Sequence, residues 1–164
     1  MNSIILIAGP SASGKSTIAR EVARLRGVPC FSLDDYFIKG AKAFVDTPSG
    51  RIRTFERPGL YNGAALAEEL SRAKDGAVVE GFCLFTYPAM CAIEGKRYYL
   101  DVPFSTCAER RRIRRPRRLS DQTYLVIGEG ENAAFVLPQR SLARMSVLDG
   151  TRSTALLVQG IMAD

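Results

Sequence analysis

Residues 4–16 read Ile4-Ile5-Leu6-Ile7-Ala8-Gly9-Pro10-Ser11-Ala12-Ser13-Gly14-Lys15-Ser16. The first five form a short apolar run of the buried-strand type. The next eight match GxxxxGKS, the P-loop pattern. Its glycines let the backbone fold into a nest of N–H donors around phosphate oxygens. Lys15 supplies charge at the β- and γ-phosphates, and the Ser16 hydroxyl is placed to hold Mg2+. Ser11, Ala12 and Ser13 fill the loop, and Thr17 follows in the first helical turn. Ile18, Val22 and Leu25 recur at helical spacing from Lys15 onward, so the order strand, loop, helix that the motif requires is present. The segment predicts a site for a nucleoside di- or triphosphate with Mg2+.

The bulk numbers agree with a small globular protein. A chain of 164 residues, 46% hydrophobic and 24% charged, suits a single domain spanning 1–164 with one well-buried core. No apolar run approaches the ~18 residues of a membrane span. Residues 4–8 are too short for a secretory signal core and have no basic leader. These features set the expectation of a cytoplasmic protein with no membrane partner. The four cysteines, Cys30, Cys83, Cys91 and Cys107, lack CxxC spacing and are expected to be buried free thiols. The chain has no histidine, so any metal should be hard and oxygen-bound.

The net charge of +6 has a local source. Seven arginines (Arg110, Arg111, Arg112, Arg114, Arg115, Arg117 and Arg118) lie within nine residues, and without them the balance is −1. One reading is a stripe that binds nucleic acid. The other, favoured by a P-loop in the same small chain, is a phosphate-clamping lid over about residues 108–120.

Along the rest of the chain, residues 28–33 read as a strand ending in Asp34-Asp35. Apolar periodicity is lost from 40 to 59, where Thr47-Pro48-Ser49-Gly50 and Arg57-Pro58-Gly59 are turn chemistry. A loop of that length in a compact domain points to function. Helical spacing returns over 62–74, residues 77–79 form a short buried strand ending at Glu80, and 97–101 form another closed by Pro103. Ser105 opens a helix into the arginines. Residues 119–136 are hard to read, and 145–148 suit a last strand. Residues 155–159 pass for a strand on propensity, while Ser153 equally suits the cap of a closing helix. Strands alternating with helices imply an α/β fold, a parallel five-stranded sheet flanked by helices, with ligands at the carboxyl ends of the strands. Gly9, Asp34, Glu80 and Asp101 should therefore face one crevice.

Phosphoryl transfer needs a phosphate cradle, a Mg2+ site, a group to position or deprotonate the attacking hydroxyl, and cations for developing charge. Lys15 and the loop are the cradle. Ser16 and Glu80 are metal candidates, with Asp34 beside them. Asp34 is the candidate base, with Asp35 next to it; one of the pair can instead cap a helix. Arg110, Arg111 and Arg114 are the candidate cations, because the guanidinium fork suits phosphate oxygens. Aromatic residues that follow strand ends, Tyr61 and Phe82 among them, are either core or a flat pocket for a ring.

The segments GPSASGKST, SLDDYF, FERPGLYN, VVEGFCLFTYP, YYLDVPFSTCAERRRIRR and VLDGTRS together resemble the uridine kinase family, and within it the nicotinamide riboside kinase branch. The resemblance covers nearly the whole chain. It implies a nucleoside-kinase-like P-loop fold and transfer of the γ-phosphate of ATP, with Mg2+, to the 5′-hydroxyl of a ribonucleoside. It implies that Asp34 is the catalytic aspartate, that Glu80 is the glutamate of the VEG motif, and that Arg111 and Arg114 are lid arginines. Glu56 and Asn62 fall where the family contacts ribose, and Tyr61 falls where it stacks on a base. The Thr151-Arg152-Ser153 turn resembles the family's segment that lies along the adenine, and the same likeness implies a helix after Ser153. Asn62 replaces an Asp of the riboside kinases, and Pro116 stands where a second stacking aromatic is expected. Another hydroxyl-bearing metabolite, such as pantothenate, a sugar or a sugar phosphate, is the alternative acceptor.

Overall fold

A computed structural model describes residues 3–114 and 119–164. Five parallel strands form one sheet in the order β2-β5-β1-β6-β7. They are β1 (Ile5–Ala8), β2 (Cys30–Ser32), β5 (Val78–Gly81), β6 (Lys96–Asp101) and β7 (Met145–Asp149). β3 (Ala43–Thr47) and β4 (Gly50–Thr54) form a separate hairpin. The helices are α1 (Lys15–Arg26), α2 (Gly63–Ser71), α3 (Pro88–Cys91), α4 (Phe104–Arg114), α5 (Leu119–Glu131) and α6 (Thr154–Ala163).

Alternation along the central strands builds two cores, because successive strand side chains point to opposite faces. Ile5, Ile7, Val78, Tyr98 and Leu100 pack with α1 and α6 through Ile18, Val22, Leu157 and Ile161. Leu6, Ala8, Val79 and Tyr99 pack on the other face with Leu66, Leu70, Phe82 and Met90. Both faces are covered, which is why β1 reads as an unbroken apolar run and β5 begins as one over Val78 and Val79. Helix α1 buries Ile18, Ala19, Val22 and Ala23. Leu25, which shares the helical spacing in the sequence, is instead 48% exposed. Gly27 ends α1 at φ 67°, and its N–H reaches the carbonyls of Ala23 and Arg24, a left-handed cap that relieves the orphan carbonyls of the last turn.

Two sequence expectations change. Residues 40–59 are not a structureless loop. They contain the β3–β4 hairpin, turned at Pro48-Ser49, with Gly50 at φ 114°. Its strands are short and half-polar, so they carry little periodic signal. The cysteines are all free, but only Cys83 and Cys107 are buried; Cys30 and Cys91 are exposed. Residues 153–164 resolve to a helix. Ser153 Oγ accepts from the Leu156 N–H at 3.4 Å, and the apolar positions Leu157, Val158 and Ile161 turn inward. Among the described residues no helix is long and apolar enough to cross a membrane.

Candidate active site

Register places the acidic and hydroxyl groups. Ser32 on β2, Glu80 on β5 and Ile7 on β1 lie side by side at the carboxyl end of the sheet. Parallel neighbours project to the same face, so Ser32 Oγ donates to Glu80 Oε1 at 2.7 Å. Ser16 Oγ, from the first turn of α1, donates to the same oxygen at 2.9 Å. Lys15 Nζ stands 3.8 Å from Glu80 Oε2 and donates to the Pro10 carbonyl at 3.3 Å. Lys15 and Glu80 are both buried.

The loop geometry explains its glycines. Gly9 has φ 150°, and a Cβ there would sit 2.8 Å from the Leu100 carbonyl oxygen of the adjacent strand. Gly14 has φ 103° and precedes α1 without a side-chain cap. Ala12 is held at φ 65°. Ser13 Oγ is buried with no hydrogen-bond partner. A glycine-rich cradle that leaves a buried hydroxyl unpaired fits a phosphate chain.

The described arginines of α4 divide by helical face. Positions 110 and 111 each lie on the side of 114, at spacings of four and three residues. Arg110 donates to the Ser13 carbonyl at 2.8 Å. Arg111 donates to Ser11 Oγ at 2.6 Å and to Glu56 Oε1 at 3.1 Å. Arg114 joins Ser11, Ala12, Lys15, Ser16, Asp34 and Arg111 in lining a cavity of 220 Å3. Arg112 turns outward to Glu109. Three arginines therefore face the loop rather than forming an outward basic stripe. Arg115, Pro116, Arg117 and Arg118 lie outside the described residues.

Asp34 opens onto the same cavity from a one-turn helix over 33–36. Ser32 Oγ caps that turn by accepting from the Asp34 N–H at 3.3 Å. The Asp34 carboxylate is reached by water, yet protein surrounds it on most sides. That surrounding mass raises its pKa above the ordinary value; the Lys15 charge opposes this, while Glu80 and Asp35 reinforce it. Glu56 is also raised, chiefly by burial and against the pull of Arg111. Its N–H donates to Thr54 Oγ1 at 3.1 Å.

The remaining candidates lie elsewhere. Asp35 is exposed beside Asp34. Asn62 caps α2, its Oδ1 accepting from the Ala65 N–H at 3.0 Å, and it is absent from the lining of the 220 Å3 cavity. The ring of Tyr61 is buried, edge-on to Phe37 and Phe82, and its hydroxyl donates to the Phe55 carbonyl at 2.8 Å. Phe82 belongs to the core. Arg152 is exposed and 3.9 Å from Asp149. Thr17 continues α1, its N–H donating to the Gly14 carbonyl at 3.0 Å.

The sequence reading missed Ser32, whose only local signal is a hydroxyl at a strand end. It also missed Tyr124 of α5 and the Arg57–Glu131 ion pair, at 3.1 Å, because those partners are far apart in sequence. A larger hollow of 720 Å3 lies at the α1–α6 seam. It is mostly apolar, and Glu21 is the one charged residue in its lining. The chemistry of the lining, rather than volume, singles out the smaller crevice.

A parallel sheet of this order, with a GxxxxGKS loop at the end of its central strand, defines a P-loop α/β protein. The family model described as an AAA domain matches residues 5–127, and the chain belongs to that family. It is similar to nicotinamide riboside kinase 1 of Rattus norvegicus, 28% identical over 130 residues, or 68% of this chain and 66% of that protein. The chain thus spans about two thirds of the length of this curated relative. Among solved structures it shares its fold with a gluconokinase from Sinorhizobium meliloti 1021 (TM-score 0.63, 20% identity, 98% of this chain and 90% of that one). It also shares it with a sugar kinase from Janibacter sp. HTCC2649 (TM-score 0.68, 18% identity, 99% and 94%). All three are kinases of small molecules by name.

Proposed function

We propose that this protein is a P-loop kinase that moves the γ-phosphoryl group of ATP to a hydroxyl of a small molecule, and that the preferred acceptor is the 5′-hydroxyl of a ribonucleoside of the nicotinamide riboside or uridine type. The observation that carries the reading is the convergence of Lys15, Ser16, Asp34 and Arg111 around one crevice, with Glu80 bonded to Ser16 and paired with Lys15. Mg·ATP, when bound, supplies the transferable phosphoryl group and the charge that polarises it. Lys15 and the loop N–H groups hold the phosphates. Ser16 and Glu80, with Asp34 near them, form the acidic and hydroxyl edge suited to Mg2+. Among the described residues no cluster of three or more His, Cys, Asp or Glu could hold an ion alone. Asp34 orients the acceptor hydroxyl and takes its proton. Arg111, with Arg110 and Arg114, faces the negative charge that develops on transfer.

The nucleoside assignment draws on the 28% identity to nicotinamide riboside kinase 1. One observation favours a sugar-like acceptor instead: Tyr61 is packed edge-on in the core rather than presented as a flat platform. The test is ADP release from Mg·ATP against nicotinamide riboside, uridine, cytidine, gluconate and pantothenate. Acceptor-dependent release with a nucleoside upholds the full reading. Release with gluconate alone keeps the kinase and changes the acceptor. Silence across the panel with intact ATP binding overturns it.

A further inference from the structure

Tyr124 has no role in the reading above, yet it touches two groups that do. Arg111 Cζ lies 4.3 Å from the centroid of its ring. Its hydroxyl donates to the Ser11 carbonyl at 3.2 Å. Its ring packs against Phe104 at 5.2 Å between centroids, and the residue is 3% exposed. Tyr124 comes from α5, whereas Arg111 comes from α4 and Ser11 from the loop, so one side chain ties three segments together.

The geometry points to Tyr124 as a positioning residue for phosphoryl transfer, the shelf that keeps the Arg111 guanidinium over the P-loop. The inference rests on the kinase reading. A guanidinium makes hydrogen bonds in its plane and stacks through its face. Here Cζ lies over the ring while Nη1 donates to Ser11 Oγ and Glu56 Oε1. Those can be exchanged for phosphate oxygens while the face stays on the ring. The ring quadrupole attracts the cation most strongly where water is excluded; here Tyr124 is 3% exposed and the Arg111 side chain 18%. A hydrogen-bonding partner in place of the ring would compete with the phosphate; an aromatic face does not.

The test uses the full chain with Tyr124→Phe as reference, because that change removes only the hydroxyl bond. Mono-, di- and trifluorinated phenylalanine at position 124 then keep the shape and progressively weaken the negative ring face. The ratio of ATP to ADP affinity, read by calorimetry, reports how well Arg111 meets the terminal phosphate without needing any acceptor. The expected result is a steady fall of that ratio and of kcat with fluorine number, reaching about tenfold, with unchanged melting temperature. The same series in an Arg111→Lys background should move the ratio by less than about twofold, because the planar face is gone. A flat series, or equal losses in both backgrounds, would show that Tyr124 merely packs. If no acceptor turns over, the kinase reading fails, while the affinity ratio still decides the role of Tyr124.

Discussion

Replacing Glu80 by Gln tests the centre of the site. The substitution keeps the shape and an oxygen for the Ser16 and Ser32 hydroxyls, now at 2.9 and 2.7 Å, and removes one negative charge. Lys15 then loses a partner at 3.8 Å, with side chains only 10% and 5% exposed. At an effective dielectric near 20, that attraction is about 4 kcal/mol before desolvation. Removing one partner of a buried pair typically costs about 3–5 kcal/mol, because the other charge stays buried. Lys15 keeps the Pro10 carbonyl and borders the cavity, so we expect a cost at or just below the bottom of that range, about 2–3 kcal/mol. For a chain of this size, the melting temperature should fall by about 5–10 °C. Scanning calorimetry with and without ADP in EDTA provides the assay: nucleotide phosphate replaces the lost carboxylate beside Lys15 and should recover most of the drop. The Mg2+ concentration for half-maximal turnover should rise about tenfold or more. Glu80 also raises the pKa of Asp34, so the acid limb of kcat/KM should move to lower pH. A melting temperature within about 1 °C of the parent would refute the energetic argument. An unchanged Mg2+ requirement would remove Glu80 from the metal site.

Asp34→Asn should cut turnover by about 10²-fold or more and leave ATP affinity intact. Its folded pKa is raised, so the native state binds more protons than the unfolded state between the two values. Stability is therefore lost as pH rises through that window; the Asn variant should melt higher than the parent above the window and equally below it, by calorimetry from pH 3 to 8. Gln139→Ala strips the amide that accepts from the Phe85 N–H at 2.8 Å and donates to the Phe82 carbonyl at 2.7 Å; with those groups buried and unpaired, urea denaturation should show a loss of about 2–4 kcal/mol. Of the four thiols, Cys30 and Cys91 should react with an aromatic disulfide reagent in the folded protein. Cys83, raised to about 12, and Cys107, raised to about 11 by burial, should react only on unfolding; four fast thiols would contradict the packing.

Where local chemistry decides a conformation, the sequence alone was enough. The apolar run at β1, the glycines of the loop and the helical spacing after Lys15 each act through neighbours within a few residues. They identify the P-loop, the alternation of strands and helices, and the strand-end positions of Asp34 and Glu80. The β3–β4 hairpin escaped because two five-residue strands facing water carry little periodic signal. The Asn62 side chain was legible as polar, but its use as the cap of α2 depends on where that helix begins.

Contacts between distant segments were decided only in the tertiary structure. Strand register sets Ser32 and Ser16 on one oxygen of Glu80. The phase of α4 sends Arg110, Arg111 and Arg114 toward the loop and Arg112 away. Glu56 and Arg57, adjacent in the chain, grip α4 and α5 through Arg111 and Glu131. Tyr124 reaches Ser11 from 113 positions away. A sequence records which groups are available to pair; which of them meet depends on how helices and strands pack, and that is settled by burial of the whole apolar surface rather than by any local pattern.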